Sequence, residues 1–540
     1  MNVADAVGRA LVAAGVRQVF GVVGSGNFHL TNAMVAAGAR FVAARHEGGA
    51  ATMADAYSRM SGTVAALTVH QGCGLTNAMT GIAEAAKSRT PMVVVAAEVL
   101  EPRSNFYVDQ AALARAVGAV PVRISSAETA VAEAQDAVAT AVRGRRTVLL
   151  NVPLPVQALE VPSPAAARPT AELPSREAVV PDAAEVAALT DLLRHAERPV
   201  FVAGRGARGH GRILEALAER SGALLATSAV AHGVFHGNPW SLGISGGFAS
   251  PRTAELIRAA DLIVGWGCAL NMWTMRHGQL IGSDATVVQV DDDASALGAH
   301  REIQLGVTGD VGLTAELALD AFGEQHTGYR TAELGSVRWR DVEYDDMSTA
   351  ERIDPRTLSI ALDDVLPAER VVAVDSGNFM GYPSAYLDVP DENGLCFTQA
   401  FQSIGLGLAT AIGAALAQPH RLAVAALGDG GALMSAAELD TVRRLGLPML
   451  VVVYNDDAYG AEVHHFAPGG HALDTVVFPP TDIAAIARGY GFEAATVRTA
   501  GDLTAVKDWL DGPRSAPMLV DAKVVAAQPS WWLEEAFRGH

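Results

Sequence analysis

Two carboxylates at the ends of apolar runs are the residues best placed to do chemistry in this 540-residue chain. The run 422–427 ends in Gly428-Asp429-Gly430-Gly431, and 27 residues beyond Asp429 the run 449–454 ends in Asn455-Asp456-Asp457-Ala458-Tyr459-Gly460. The pattern predicts two buried parallel strands joined by a helix over 435–445, each delivering a carboxylate from its C-terminal end, where open α/β sheets bind ligands. Two hard oxygen ligands beside glycines that admit close backbone NH groups suit Mg²⁺ and a diphosphate. Taken alone, two ordinary Asp-containing strand-to-helix turns read the same way, so the remaining motifs decide.

A Gly-Asp-Gly followed at this distance by Asn-Asp resembles the signature of thiamine-diphosphate enzymes of the pyruvate decarboxylase, benzoylformate decarboxylase and acetolactate synthase superfamily. The resemblance implies thiamine diphosphate and Mg²⁺ as cofactors. Asp429 and Asp456 would bind the metal through their side chains and Ala458 through its carbonyl; Gly428, Gly430, Gly431, Tyr459 and Gly460 would line the diphosphate. Asp456 stands where many relatives have Asn, which adds a negative charge at the metal. In Val374-Asp375-Ser376-Gly377-Asn378, another strand end, Ser376 and Asn378 would reach the diphosphate, although Ser and Asn also populate turns without a ligand. In Phe401-Gln402-Ser403-Ile404-Gly405 the resemblance makes Ile404 the apolar prop that bends the cofactor, with the Gln402 carbonyl on the pyrimidine edge, where relatives often carry Gly.

Nearer the amino end, Arg45-His46-Glu47-Gly48-Gly49 sets a carboxylate between a strand and a helix. An acid there is stabilised by the helix N-terminus, which is one reading. By resemblance Glu47 is the glutamate that activates the cofactor through the pyrimidine N1′, leading to an enamine after CO₂ leaves a 2-oxo acid. The remaining catalytic candidates also come from resemblance: His70 in His70-Gln71-Gly72-Cys73-Gly74, Glu462 six residues after Asp456, Ser25 in Gly24-Ser25-Gly26-Asn27-Phe28-His29, and Gln110. A carboxyl beside an apolar pocket has a raised pKa and can deliver a proton, the role expected of Glu462. Asn27, His29, His464 and His465 come second to these, and Arg276 or His277 could meet a substrate carboxylate.

Positioning these residues requires alternating strands and helices. Apolar runs fall at 19–23, 41–44, 64–69, 92–97 and 147–152, then at 200–203, 223–226, 262–265 and 287–290, and finally at 371–374, 422–427, 449–453 and 518–520. Strands apolar throughout imply parallel sheets covered on both faces. The expected fold is α/β in three domains: a pyrimidine-binding domain over 1–160, a Rossmann-like central domain over 183–325, and a diphosphate- and Mg-binding domain over 355–540. A proline-dense linker over 153–182 and a polar one over 323–352 would join them. Gly204-Arg205-Gly206-Ala207-Arg208-Gly209 matches a dinucleotide fingerprint, but no acid ends the next strand to hold a ribose. It reads as a structural turn, and FAD is not expected.

The balance of 59 acidic against 40 basic residues, a formal −19, argues against nucleic acid or an anionic membrane as partner. No apolar run reaches the length of a membrane span and the start lacks a signal core, so a cytoplasmic location is expected. Cys73, Cys268 and Cys396 make neither metal-ligand spacing nor a disulfide framework. The family resemblance implies a homo-oligomer with active sites between subunits. Three functions fit the motifs: a 2-oxo acid decarboxylase releasing an aldehyde, an acetolactate-synthase-like carboligase passing the same enamine to a second carbonyl, and an inactive cofactor-binding paralogue. Retention of Glu47, Ile404, Asp429 and Asp456 together argues against the last.

Overall fold

The computed structural model describes residues 1–162, 175–331, 334–527 and 529–533. Three parallel six-stranded sheets follow one another along the chain. The first holds β1 (Gln18–Gly21), β2 (Arg40–Ala43), β3 (Ala65–Val69), β4 (Met92–Glu98), β5 (Val120–Arg123) and β6 (Thr147–Pro153) in the order β2-β1-β3-β4-β6-β5. Every residue of β3, β4 and β6 is buried, which explains why these segments are apolar without alternation: helices cover both faces.

The central sheet contains β7 (Pro199–Ala203), β8 (Leu224–Thr227), β9 (Ser241–Ile244), β10 (Leu262–Trp266), β11 (Thr286–Asp291) and β12 (Leu305–Thr308). Its order, β12-β11-β10-β7-β8-β9, counts from the other edge as 3-2-1-4-5-6, the doubly wound order of dinucleotide-binding folds. The third sheet holds β13 (Arg370–Val374), β14 (Leu395–Phe397), β15 (Leu422–Gly428), β16 (Met449–Asn455), β17 (Glu493–Val497) and β18 (Met518–Lys523) in the order β14-β13-β15-β16-β18-β17. Numbered from its own first strand, this repeats the order of the first sheet.

Sequence patterning anticipates thirteen of these strands and misses β5, β9, β12, β14 and β17. The helix expected over 435–445 is also different. A helix begins on the acid itself, Asp429–Met434, then a 3-10 turn, Ala436–Glu438, leads into the helix Leu439–Leu445. Ser435 separates them, its hydroxyl donating to the Gly431 carbonyl at 2.8 Å. In the expected first linker, β6 runs to Pro153 and Leu154–Gln157 form a helical turn with Pro155 near its start, where proline is tolerated. The part of that linker at 163–174 lies outside the described residues.

The first and third domains dock through one apolar core, in which Met53, Leu75 and Ile82 meet Leu408, Ile412 and Leu439. Each such side chain, fully buried, contributes about 1.5–3 kcal/mol. The helices Glu47–Ser61 and Gly407–Ala417 approach so closely that a Cβ on Gly413 would lie 2.3 Å from the Met53 carbonyl oxygen. Among the described residues no helix is long and apolar enough to cross a membrane.

Candidate active site

Adjacent strands β15 and β16 end level with one another, Gly428 opposite Tyr454, and so bring Asp429 and Asp456 side by side. The two carboxyl groups lie close enough to perturb one another. Burial pushes both upward, and for Asp456 the neighbouring Asp429 charge adds to it. The nearby cation, Arg352, is committed to Asp457 at 2.5 Å. Two buried acids pushed toward their protonated forms are what a divalent cation would relieve.

The backbone packs closely around the acids at positions that only glycine allows. A Cβ on Gly430 would stand 2.6 Å from the Tyr459 ring, and one on Gly460 would stand 2.2 Å from Asp456 Oδ2. The cavity in front of the acids encloses about 150 Å³, and its lining includes Ser376, Asn378, Ile404, Asp429, Asp456 and Glu462, together with Gly428, Gly430, Gly431, Ala458, Tyr459 and Gly460. Among the described residues no three His, Cys, Asp or Glu side chains group to hold a metal. A cation here would take two carboxylates from the protein and complete its oxygen shell from a backbone carbonyl, a phosphate and water. The donor set fits a Mg²⁺–diphosphate pair.

Asp375, at the end of β13, ties the loops around this cavity together. Its buried carboxylate accepts the NH groups of Ser376 (2.9 Å), Gly405 (3.0 Å) and Leu406 (3.2 Å), and a Cβ on Gly431 would lie 2.2 Å from its Oδ2. Burial pushes Asp375 up to about 6 against the pull of those NH groups. The Asn378 carbonyl accepts the Ser530 hydroxyl at 2.6 Å and the Trp532 indole NH at 3.1 Å, so Ser530 and Trp532 brace the loop after β13. Gln402 sits at φ +62°, the left-handed region that favours glycine.

In the first domain, Glu47 opens the helix Glu47–Ser61 directly after the β2 turn, and the His46 ring caps it by accepting the Gly48 NH at 3.0 Å. Asn77 Nδ2 donates to Glu47 Oε2 at 3.1 Å. Asn77 is not among the residues that sequence singles out; its proximity to Glu47 comes from the helix Cys73–Lys87 packing beside Glu47–Ser61. His70 follows β3 with Nδ1 3.0 Å from the Gln71 carbonyl, which fixes a proton on Nδ1 and leaves Nε2, 3.4 Å from Ser25 Oγ, to exchange protons. The Phe106 ring packs 5.4 Å from the imidazole.

Other candidates lie away from this cluster. Gln110 is 2 % exposed: its Oε1 accepts the Gly72 NH at 3.1 Å and its Nε2 donates to Ala97 O and Asn151 Oδ1, so it braces the His70 loop from behind. Asn27 is buried on Val22 O and Thr68 Oγ1, while His29 is exposed. Arg276 donates to the Gly246 and Ala249 carbonyls, both at 2.9 Å, and holds its own loop. His464 and His465 follow Glu462 on the helix Gly460–Phe466, and burial lowers His464. In the central domain a Cβ on Gly204 would lie 2.2 Å from the Gly267 carbonyl oxygen, so that glycine serves turn-against-turn packing.

Family models for thiamine pyrophosphate enzymes match in three parts: the N-terminal TPP binding domain over residues 1–114, the central domain over 186–318 and the C-terminal TPP binding domain over 375–522. A sulfoacetaldehyde acetyltransferase of Rhodobacter capsulatus is 28 % identical across 93 % of this chain and 90 % of its own. A chloroplastic acetolactate synthase 2 of Zea mays is 27 % identical across 96 % and 84 %. The structure of a Rhodococcus jostii thiamine diphosphate-dependent 4-hydroxybenzoylformate decarboxylase superposes with a TM-score of 0.83 at 23 % identity, covering 97 % of this chain and 99 % of that one, and so shares the fold. With matching models for all three domains and a cradle of suitable shape and chemistry at the ends of β15 and β16, the chain belongs to the thiamine pyrophosphate enzymes of the decarboxylase, acetolactate synthase and acetyltransferase superfamily.

Proposed function

We propose that this enzyme decarboxylates a 2-oxo acid and releases the aldehyde, using thiamine diphosphate with Mg²⁺ held by Asp429, Asp456 and the Ala458 carbonyl. When bound, thiamine diphosphate supplies the electron sink that lets CO₂ leave. The observation that carries the reading is the His70–Ser25 pair. With Nδ1 committed to a carbonyl, His70 can hold and deliver a proton only at Nε2, where Ser25 Oγ can relay it. Aldehyde release consumes one proton per turnover, and this pair supplies it.

Glu47 would exchange a proton with the pyrimidine ring while Asn77 fixes the direction of its carboxyl. Ile404 would set the bend of the cofactor, and Glu462, on the wall of the diphosphate cavity, would serve as a second acid. That cavity is lined by third-domain residues, and Glu47 belongs to the first domain. A site completed by a second copy accounts for this, and for the exposed apolar side chains of Phe28, Phe401 and Met434.

Acyl transfer is the second reading, favoured by the names of the acetyltransferase and acetolactate synthase relatives, which match over nearly the whole chain. Substitution separates the two. His70→Ala should lower aldehyde release by about 10²–10⁴-fold, the span of a lost general acid. Unchanged aldehyde release from His70→Ala would refute the assignment of the proton donor.

A further inference from the structure

The turns that carry Glu47 and Ile404 are each gripped by a buried glutamate from the other domain of the same chain. Glu438, 3 % exposed, lies in the turn Ala436–Glu438 that follows the metal helix. Its Oε1 accepts the NH groups of Arg45 and His46, both at 3.0 Å, and its Oε2 accepts the Thr441 hydroxyl at 2.6 Å. Arg45 and His46 immediately precede Glu47. A Cβ on Gly49 would lie 2.5 Å from the same Oε1, so the carboxylate is pressed into the start of the Glu47 helix.

The arrangement is reciprocated. Glu84, fully buried near the end of the helix Cys73–Lys87, accepts the Ala400 NH on Oε1 at 3.0 Å and the Phe401 NH on Oε2 at 2.7 Å. Those residues immediately precede Gln402, and Ile404 follows two residues later. Both glutamates lie in the segment that follows the third strand of their sheet, β3 for Glu84 and β15 for Glu438, and the two sheets share one strand order. An ionised acceptor holding two consecutive NH groups is stronger and more directional than a neutral one. Packing alone would not require it at both equivalent places.

We propose that Glu438 and Glu84 are reciprocal positioning residues: Glu438 fixes the Glu47 carboxyl, and Glu84 fixes the Ile404 side chain, each from the opposite domain and neither touching the cofactor. The proposal rests on the roles given above to Glu47 and Ile404. A displacement of a reacting group by about 1 Å costs on the order of a hundredfold in rate.

A double-mutant cycle on the full-length holoenzyme, with amide exchange of the cofactor-free protein as a second readout, tests it. Glu438→Ala should lower kcat by on the order of a hundredfold with substrate KM unchanged. It should also speed exchange of the amides at 45–48 and leave those of β3 and β4 protected. In a Glu47→Gln background with residual turnover, the same substitution should cost less than about twofold, because residues acting through one group are not additive. Glu438→Gln, whose amide oxygen can take both NH groups while its NH₂ meets Thr441, should fold and keep both protection and turnover. For Glu84→Ala, the cofactor concentration for half-maximal activity should rise, and amides 400–405 should exchange faster.

An equal loss from Glu438→Ala in both backgrounds would overturn the role of Glu438 alone. So would a Glu438→Gln protein that keeps amide protection yet loses turnover. Wild-type turnover in Glu47→Gln would instead overturn the role of Glu47, and this proposal with it.

Discussion

At the scale of single residues, Gln402 carries a side chain on a backbone whose φ of +62° suits glycine. Gln402→Gly should therefore fold and turn over at least as well as the parent, whereas Gln402→Val should lose about 1–2 kcal/mol of stability in thermal unfolding. The paired acids give a pH dependence with a definite sign. Burial pushes Asp429 to about 6, and burial with the Asp429 charge pushes Asp456 to about 8, both from an ordinary 3.8. The folded metal-free protein thus holds protons that the unfolded chain has already lost. Their stabilising effect is complete below pH 3.8 and is lost as pH rises through about 6 to about 8. A metal takes only the ionised form, so Mg²⁺–cofactor affinity measured by titration calorimetry should strengthen from pH 6 to pH 8 with proton release, and Mg²⁺ with cofactor should flatten the fall of Tm. The positions of Asp429 and Asp456 at strand ends were legible in the sequence because each follows an apolar run, and that of Glu47 because it opens a helix just after a strand. Asp375 also ends an apolar run, but its motif directs attention to Ser376 and Asn378, whereas Glu438 lies in a turn between two short helices, where no such signal exists. The inward turn of Gln110 is set by the positions of Ala97 and Asn151, which residue type and spacing do not specify.

At the scale of elements, the strands that patterning found and those it missed divide by position in the sheet. All the interior strands were found, together with the edge strand β2. The five missed, β5, β9, β12, β14 and β17, all lie at sheet edges. Edge strands here are short or interrupted, as in Val120-Pro121-Val122-Arg123 and Leu305-Gly306-Val307-Thr308, and most of their residues are partly exposed. With one side open to solvent and pairing on one side only, nothing enforces a continuous apolar run. The docking of helix Glu47–Ser61 on Gly407–Ala417 is likewise invisible in sequence, because Gly413 in an apolar helix looks like any small residue. Its contact with the Met53 backbone makes a strong prediction. Gly413→Val should lower Tm by several degrees and weaken cofactor binding, since the clash separates the two domains that hold the clamps. A normal Tm would show that the helices have room to part.

At the scale of the whole molecule, the cavity in front of Asp429 and Asp456 is lined by third-domain residues, whereas Glu47 belongs to the first domain. If two copies complete each site, co-expressing Glu47→Ala with Asp429→Ala chains should restore about a quarter of the wild-type activity, because each mixed dimer then owns one intact site. Absence of restoration would place both residues of a site in one chain. The three-domain plan was legible because each buried strand run repeats within its own sheet, whereas the choice between protonation and acyl transfer depends on what reaches the reacting carbon, a matter of loops rather than of pattern. The most direct test of the account is CO₂ release from a panel of 2-oxo acids with thiamine diphosphate and Mg²⁺, measured with and without an added aldehyde or 2-oxo acid acceptor. The account predicts release that is independent of acceptor and matched mole for mole by free aldehyde; release that requires the acceptor, with no aldehyde formed, would contradict it.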